Sequence, residues 1–409
     1  MSDRQPFKSS RRSAIAPFIV MEMMAAANAR AAAGGDVLHL EIGEPGGGAP
    51  PTALAAVTTA LTRTSGGYTE AFGLPALRRQ IGQHYHATYG VAVDPAQVAM
   101  TVGASGAFIL AFLAAFEHGD RIVVTEPGYP AYRNILQSLG LEVVPVATDV
   151  ETRFQPTPEL LERVPDPIQG LILASPSNPT GTMLPRAEME RLAAYCAGRG
   201  IRIISDEIYH GITYDEPAET ILAFSRDAVV VNSFSKYFCM TGWRLGWLVL
   251  PPDLVDAVNR LAQNLFIAPP TVAQHAALAV LQNDLPELER RLDRYRRNRA
   301  HLLAALPRAG LTRMAPADGA FYIYVDVSEF TDNSLRLCRR LLDETGVAIT
   351  PGVDFDPARG QHFVRLSFAG AESDVGEACE RLCRWFASAR PTGGTTPAAA
   401  RLAAVAPPP

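Results

Sequence analysis

Between residues 98 and 250, short apolar runs rich in β-branched residues alternate with segments of helical length. This alternation predicts βαβ units built around a mostly parallel sheet. Each run is almost continuously apolar, which is typical of strands covered by helices on both faces. The predicted strands are 97–103, 121–126, 141–146, 170–175, 201–206, 228–233 and 245–250, and the predicted helices include 105–117, 131–139 and 186–199.

The pattern changes near residue 285, where the densely charged run ELERRLDRYRRNR predicts a long exposed helix. The later runs DGAFYIYVDV and HFVRLSF predict strands of a second, smaller unit. The last residues are a low-complexity mixture of Pro, Ala, Gly and Thr. We therefore expect an N-terminal arm with part of the small domain (1–45), a large domain (46–285), a small C-terminal domain (286–390) and a disordered tail (391–409).

Length and composition indicate a globular protein, because 409 residues with 48% hydrophobic and 19% charged residues suit two or three domains with buried cores. The net charge of −5 gives no basic footprint, so we expect no nucleic-acid partner. The longest apolar run, 107–116, has about half the length needed to cross a bilayer. The N-terminal stretch resembles a signal peptide superficially, but Glu22 interrupts its apolar part. We expect no membrane association.

The five cysteines are odd in number and scattered, so they indicate neither a disulfide framework nor a zinc site. Cys379 and Cys383 have helical spacing but no further ligand nearby in sequence. No metal is therefore predicted. Unpaired cysteines favour a reducing compartment, and we expect a cytoplasmic location.

Only two of the 37 basic residues are lysines, Lys8 and Lys236. Arginine replaces lysine in most surface and ion-pair roles, but it cannot offer a deprotonated primary amine. Codon bias would also leave few lysines, so scarcity alone does not decide the matter. Lys236 is nevertheless a candidate for amine chemistry.

Ligands of open α/β sheets gather outside the carboxyl ends of the strands, so the residues that follow each predicted strand are informative. The segment GASGA (103–107) opens a helix with small residues, which lets backbone N–H groups approach a phosphate, although ordinary capping uses the same residues. EPGYPAYR places Tyr129 and Tyr132 on a turn. An aromatic ring there can stack on a planar ligand or simply pack.

Two further strand ends carry polar side chains. SPSNPTGT places Asn178 in a turn rigidified by proline, although turn chemistry alone also explains Asn-Pro. ISDEIYH ends an apolar strand with Asp206, and Tyr209 follows three residues later. A carboxylate at the end of a buried strand needs a partner, such as a helix cap, a metal or a cationic ring nitrogen.

The last strand of the series leads into SFSKYFCMTGWRLGW, which contains Ser233, Ser235, Lys236 and Arg244. An amine, two hydroxyls and a guanidinium suit a phosphate that bears an aldehyde: the amine forms an imine and the other groups hold phosphate oxygens. The same letters match the S-x-x-K motif of serine acyl-enzymes. That alternative also expects K-T-G, and neither lysine is followed by Thr-Gly.

Together, SFSK, GWRLGW, SPSNPTGT and SDEIY resemble the class I/II aminotransferases, which are fold-type I enzymes dependent on pyridoxal 5′-phosphate (PLP). The resemblance spans roughly residues 15–388. It implies a three-layer α/β/α large domain with a mostly parallel sheet that binds PLP, and a smaller α+β domain.

The resemblance also implies a role for each motif residue. Lys236 would be the Schiff-base lysine and proton carrier, and Asp206 would pair with the pyridinium nitrogen. Tyr209 and Asn178 would hydrogen-bond the ring oxygen. The remaining cofactor contacts implied are phosphate binding by Ser233, Ser235, Arg244 and the backbone at Ala104 and Ser105, and ring stacking by Tyr129.

Outside this set, the family resemblance places Gly43 near the substrate carboxylate and Arg365 as the arginine that clamps it. Tyr68 would reach the phosphate of a neighbouring subunit, which implies a homodimer with shared active sites.

Two departures from the family pattern stand out. Gly46–Gly48 follow Gly43-Glu44-Pro45, so we expect a looser loop, and PGVDFD has Asp356 where the family has glycine.

These implications predict a PLP-dependent aminotransferase that moves an amino group from an L-amino acid to a 2-oxo acid. A PLP-dependent lyase or cyclopropane-forming enzyme is the alternative, since similar folds serve those outcomes. A regulator that senses the cofactor would need a DNA-binding domain, for which the short stretch before residue 15 has no room. The sequence motifs identify no second arginine or lysine that could bind a carboxylate on the side chain of the donor, which favours neutral or aromatic donors. Candidate side-chain contacts are Phe18, Gly46–Gly48, Tyr68 and Phe266.

Overall fold

The computed structural model describes residues 7–64 and 66–389, so the predicted tail at 391–409 lies outside the described residues. The strands are β1 (Leu38–His39), β2 (Val98–Thr101), β3 (Arg121–Glu126), β4 (Glu142–Ala147), β5 (Gly170–Ala174), β6 (Arg202–Asp206), β7 (Val229–Ser233), β8 (Gly246–Val249), β9 (Tyr322–Asp326), β10 (Val347–Ala348), β11 (Thr350–Pro351) and β12 (Phe363–Ser367). The helices are α1 (Ile19–Ala32), α2 (Pro51–Thr64), α3 (Pro75–Tyr89), α4 (Gly103–Ala115), α5 (Pro130–Leu139), α6 (Pro158–Leu161), α7 (Arg186–Arg199), α8 (Val255–Leu265), α9 (Thr271–Asn283), α10 (Leu285–Ala305), α11 (Ser334–Thr345) and α12 (Glu372–Ser388).

A seven-stranded sheet with strand order β2-β8-β7-β6-β5-β3-β4 forms the centre of the molecule. Only β8 runs antiparallel to its neighbours, β2 and β7. Successive residues of β5 belong to different cores: Leu171 and Leu173 pack on one side of the sheet, and Ile172 packs on the other. Both faces are therefore covered, which explains the continuous apolar runs. The predicted three-layer, mostly parallel α/β/α fold is confirmed.

A second, three-stranded antiparallel sheet of order β11-β12-β9 lies in the C-terminal part of the chain. The short strand β1 pairs with β10, so residues 38–39 join this part. Helix α10 is not simply exposed as its charge run predicts. Leu288, Leu292 and Tyr295 are buried at helical spacing, so one stripe of the helix packs, while Arg290, Arg296 and Arg297 are exposed. The predicted domain boundaries remain a prediction.

The departure PGVDFD has a clear structural role. Asp356 is buried and accepts hydrogen bonds from the backbone N–H and the Nε of Arg359 at 2.8 and 2.7 Å. Arg359 in turn donates from Nη2 to the carbonyl of Glu126, 2.6 Å away at the end of β3. Asp356 therefore holds an arginine that ties the C-terminal sheet to the central one. Among the described residues, no helix combines the length and apolarity needed to span a membrane.

Candidate active site

A cavity of about 310 Å³ lies at the carboxyl ends of the central strands. Its walls come from the start of α4, the end of β6, the turn after β7, strand β12 and helix α1. Most of the residues predicted from the sequence converge on it. Those that do not line it are Ser233, Tyr68 and the candidate side-chain contacts Phe18, Gly46–Gly48 and Phe266. Those that line it are Gly43, Ala104, Ser105, Tyr129, Asn178, Asp206, Tyr209, Ser235, Lys236, Arg244 and Arg365.

Lys236 is carried by the turn that follows β7, which the buried ring of Phe234 anchors in the core. Its Nζ donates a hydrogen bond to the carbonyl oxygen of Gly43 at 2.6 Å. Burial lowers the pKa of Lys236 to about 8, and the positive charges of Arg365 and Arg244 act in the same direction. A much larger share of the amine is therefore unprotonated near neutral pH than for a solvent-exposed lysine.

This pKa gives a testable expectation for the uptake of PLP, the cofactor that the family resemblance implies. Only the neutral amine attacks an aldehyde, so the rate of loading should rise with pH up to about 8 and then level off. An unperturbed lysine would continue to gain rate up to its ordinary pKa of 10.5. Stopped-flow absorbance of apoprotein mixed with PLP between pH 6 and 10.5 measures this. A rate that still climbs tenfold per pH unit above pH 9 would contradict the prediction.

Asp206 is the last residue of β6, and only 4% of its surface is exposed. Its Oδ2 accepts a hydrogen bond from the hydroxyl of Tyr132 at 2.5 Å, and Oδ1 accepts one from the N–H of Ile208 at 3.1 Å. Burial raises the pKa of Asp206 to about 6 despite these hydrogen bonds. A cationic ring nitrogen beside it would stabilise the ionised form, so the carboxylate suits the pyridinium of PLP.

Beside Lys236, a cradle of polar groups suits a phosphate. The hydroxyls of Ser233 and Ser235 lie 2.9 Å apart, and Ser233 Oγ also accepts the N–H of Ser235 at 3.1 Å. Buried Ser233 thus orients Ser235, which faces the cavity. The first turn of α4 presents Ala104 and Ser105 to the same space, with the positive end of the helix.

Arg244 completes this cradle, and its position accounts for the glycine at position 103. Its Nη1 donates to the carbonyl of Thr241 at 3.0 Å, and its guanidinium lies against the start of α4. A Cβ at position 103 would lie 2.6 Å from Nη2 of Arg244, and Gly103 has a positive φ of 67°. The backbone conformation favours glycine, and any larger residue would displace the guanidinium. The hydroxyls, guanidinium and helix N-terminus together fit a phosphate group.

At the other end of the cavity, Arg365 of β12 is buried and rigidly held. Its Nη1 donates to Oδ1 of Asn178 at 2.9 Å, and its Nη2 donates to the carbonyl of Glu41 at 2.6 Å. The guanidinium carbon lies 4.3 Å from the ring centroid of Tyr322 and 4.8 Å from that of Phe355. Its buried Nε has no partner in the described structure, so a carboxylate would satisfy a buried donor.

Tyr322 and Tyr132 are site residues to which the sequence motifs assign no role. The hydroxyl of Tyr322 lies 2.9 Å from that of Tyr209, and a Cβ at position 43 would lie 1.8 Å from it, so Gly43 has to be glycine. Burial raises the pKa of Tyr209 well above its ordinary value, so its hydroxyl remains a donor. A sequence signal for Tyr132 is present in EPGYPAYR, whereas Tyr322 carries none.

The triple-glycine loop is anchored rather than loose. Arg291 donates from Nη1 to the carbonyl of Gly48 at 2.7 Å, and Arg294 donates from Nη2 to the carbonyl of Gly46 at 2.9 Å. Both arginines belong to α10, so the charged run has a function in positioning this loop.

Tyr68 behaves differently from the other predicted residues. Its side chain is 84% exposed, and it does not line the cavity of its own chain. Within residues 7–64 and 66–389, no group of three or more His, Cys, Asp and Glu side chains is placed to hold a metal.

A buried amine facing a buried carboxylate, beside a phosphate cradle at the strand ends of such a sheet, defines the fold-type I class of PLP-dependent enzymes. Within that class, the chain belongs to the family "Aminotransferase class I and II", whose model matches residues 35–382. The predicted family resemblance is thus confirmed.

The chain is similar to valine–pyruvate aminotransferase of Mycobacterium tuberculosis, with 48% identity over 92% of this chain and 98% of that one. Its fold is similar to a crystal structure of an aminotransferase from M. tuberculosis, with a TM-score of 0.92, 47% identity and coverage of 94% and 100%. Aspartate aminotransferase of Thermus thermophilus crystallised with maleate matches with a TM-score of 0.87, 32% identity and coverage of 93% and 100%. The protein is an aminotransferase, and the comparisons do not favour the lyase alternative.

Proposed function

We propose that this aminotransferase uses PLP bound through Lys236 and transfers the amino group of an apolar L-amino acid to pyruvate. The observation that carries the proposal is the chemistry of the cavity wall. Apolar side chains that line the cavity include Val20, Met21, Met24, Ile42 and Ile135. The cationic residues lining the cavity are Lys236, Arg244 and Arg365, and each already has a role. A donor with a charged side chain would have no partner there.

The similarity to valine–pyruvate aminotransferase supports the same choice of donor and acceptor. The shared fold alone does not select the donor, because the Thermus aspartate aminotransferase has the same fold.

The cofactor, when bound, supplies an electron sink for the electrons left at the substrate Cα. In our proposal, Asp206 keeps the ring nitrogen protonated, and the amine of Lys236 removes and returns the proton at Cα. Asn178 accepts a hydrogen bond from Arg365, so its amide nitrogen is the donor that remains for the ring oxygen. Arg365 binds the substrate carboxylate and thereby orients the Cα proton towards Lys236.

A panel of amino donors tests the proposal. With pyruvate as acceptor, valine and other apolar amino acids should be turned over, and aspartate should have a kcat/KM about 10²-fold lower because its second carboxylate would be buried without a partner. Quantifying alanine and the 2-oxo acid by chromatography measures both products. Efficient use of aspartate would overturn the choice of donor. Continued turnover without any 2-oxo acid acceptor, beyond the one equivalent of product per site that the first half-reaction releases, would instead support elimination.

We further propose a homodimer in which Tyr68 serves the partner's site. Large apolar residues are exposed on two elements: Leu54 and Leu61 on α2, and Leu265 and Ile267 at and just after the end of α8. The hydroxyl of Thr271 donates to the carbonyl of Gly67 at 2.7 Å, which brings the Tyr68 loop close to residues 265–267. An exposed apolar surface of this kind is typical of an interface between subunits.

A further inference from the structure

The first turn of α1 is held by a carboxylate that lies more than 300 residues further along the chain. Oδ1 of Asp354 accepts the N–H of Ile19 and Oδ2 accepts the N–H of Val20, both at 3.1 Å. The residue preceding the helix, Phe18, makes no side-chain capping bond. Asp354 thus takes the part that an N-cap side chain normally plays, and it satisfies two N–H groups that the helix itself leaves unpaired.

This helix forms the apolar wall of the active-site cavity, to which it contributes Val20, Met21 and Met24. The helix is only lightly embedded in the protein, since its buried residues are Met23 and Ala27. A hydrogen bond of 3.2 Å from Nδ2 of Asn134 to the carbonyl of Ala16 holds the segment before it. Other polar contacts of the helix include an exposed ion pair of 4.0 Å between Glu22 and Arg339 and, in its last turn, a hydrogen bond of 3.3 Å from Arg30 to the carbonyl of Asp343. With so little burial, the position of the wall depends strongly on the carboxylate at the start of the helix.

Asp354 is itself fixed relative to the carboxylate-binding end of the site. It is 2% exposed, and its carbonyl accepts a hydrogen bond of 2.6 Å from Nη2 of Arg133. The strand just before it, β11, pairs with β12 so that Thr350 lies opposite Arg365. A short, buried stretch of backbone therefore connects the residue opposite Arg365 to the anchor of α1.

We propose that Asp354 is a specificity-determining positioning residue, which sets the separation between the apolar wall on α1 and the guanidinium of Arg365. That separation defines how large a donor side chain fits between the two. The inference rests on the proposed function, because it assumes an apolar donor whose carboxylate binds Arg365. Asp354 acts through α1 and has no contact with the reacting atoms.

The test compares two donors that differ in side-chain bulk, each in the half-reaction with the holoenzyme and without acceptor, because alanine with pyruvate gives no net reaction. The change in absorbance of the bound cofactor, followed at several donor concentrations, gives kcat/KM for each donor. In Asp354→Ala holoenzyme, kcat/KM for valine should fall about tenfold, the size expected for loss of a helix cap, and the change should be mainly in KM. Alanine buries little surface against the wall, so its kcat/KM should change less than about twofold. Asp354→Asn retains one acceptor oxygen and should lose about threefold for valine.

The matched control is Asp94→Ala, which removes a carboxylate that caps a short helix far from the cavity through the N–H of Ala96. It should leave the valine-to-alanine ratio unchanged. A double variant that carries both Val20→Ala and Asp354→Ala gives a further test. Its change in the valine-to-alanine ratio of kcat/KM, expressed as a free energy, should be smaller than the sum of the changes in the two single variants, since both act through α1.

A ratio that stays at the wild-type value in both Asp354 variants would overturn the proposal, as would an equal loss for the two donors. If Asp354→Ala does not fold, the Asn variant alone decides the question. Failure of the proposed function would be visible separately, because the wild-type holoenzyme would then not prefer an apolar donor.

Discussion

Lys236→Ala should lower kcat about 10⁴-fold, the upper range for loss of a positioned general acid–base group, and should remove the covalent link to the cofactor. The expected result follows from the buried position of the amine and from the composition of the chain, because the only other lysine is Lys8. Coupled assays give kcat, and borohydride reduction followed by peptide mass spectrometry locates the attached PLP. Lys8→Ala is the matched control, which should keep full activity and the same labelled peptide.

Substantial turnover by Lys236→Ala, or PLP attached to another position, would contradict the assignment. The same variant tests the shared site. Coexpressed with Tyr68→Ala chains, it should regain about a quarter of wild-type activity, since half of randomly paired dimers are hybrids and each has one intact site. If no activity returns in the mixture although Tyr68→Ala alone is impaired, Tyr68 does not serve a partner.

Asp206→Asn should bind PLP through Lys236 and the phosphate cradle but turn over about 10²- to 10³-fold more slowly, the cost of removing one partner from a buried charge pair. Asparagine keeps the size of the side chain and one of its two acceptor oxygens. It cannot supply the negative charge that keeps a ring nitrogen protonated. Absorbance of the bound cofactor and single-turnover kinetics separate loading from chemistry.

Glu207→Gln is the control for this variant. Glu207 is the next residue and is equally buried, but its carboxylate accepts hydrogen bonds from the hydroxyl of Thr220 and the N–H of Ile221, both at 3.0 Å, and it does not line the cavity. It should keep the wild-type kcat. An Asp206→Asn enzyme with unchanged kcat would remove the role assigned to the carboxylate.

The central sheet is predictable because buried parallel strands leave a local signal, and polar residues after those strands necessarily meet at one edge. That rule suffices to bring Asp206, Asn178 and Lys236 together from the order of residues along the chain. Contacts between distant elements carry no such signal. Tyr322 reaches the site only because β9 pairs with β12, and Asp354 reaches α1 only in the folded molecule.

Two predictions failed for a shared physical reason. The many charged residues of α10 led to the prediction of an exposed helix, although the helical spacing of Leu288, Leu292 and Tyr295 indicates a buried stripe. The glycines after Gly43 predicted looseness from backbone freedom alone, whereas guanidinium groups from α10 bind their carbonyls. The hydrogen bond from Tyr132 to Asp206 shows the same limit, since only the orientation of α5 brings that hydroxyl to the carboxylate, and the stacking role of Tyr129 stays a prediction.

The packing of the Arg365 guanidinium against two aromatic rings has a consequence for how the donor specificity of such an enzyme can change in evolution. In the proposed function, this fixed guanidinium holds one end of every donor, and the cofactor is held by residues between 104 and 244. Variation in the donor side chain then falls on the apolar wall formed by Val20, Met21, Met24, Ile42 and Ile135. New donors can be acquired, or engineered, by exchanging a few side chains there while the reaction itself is left untouched.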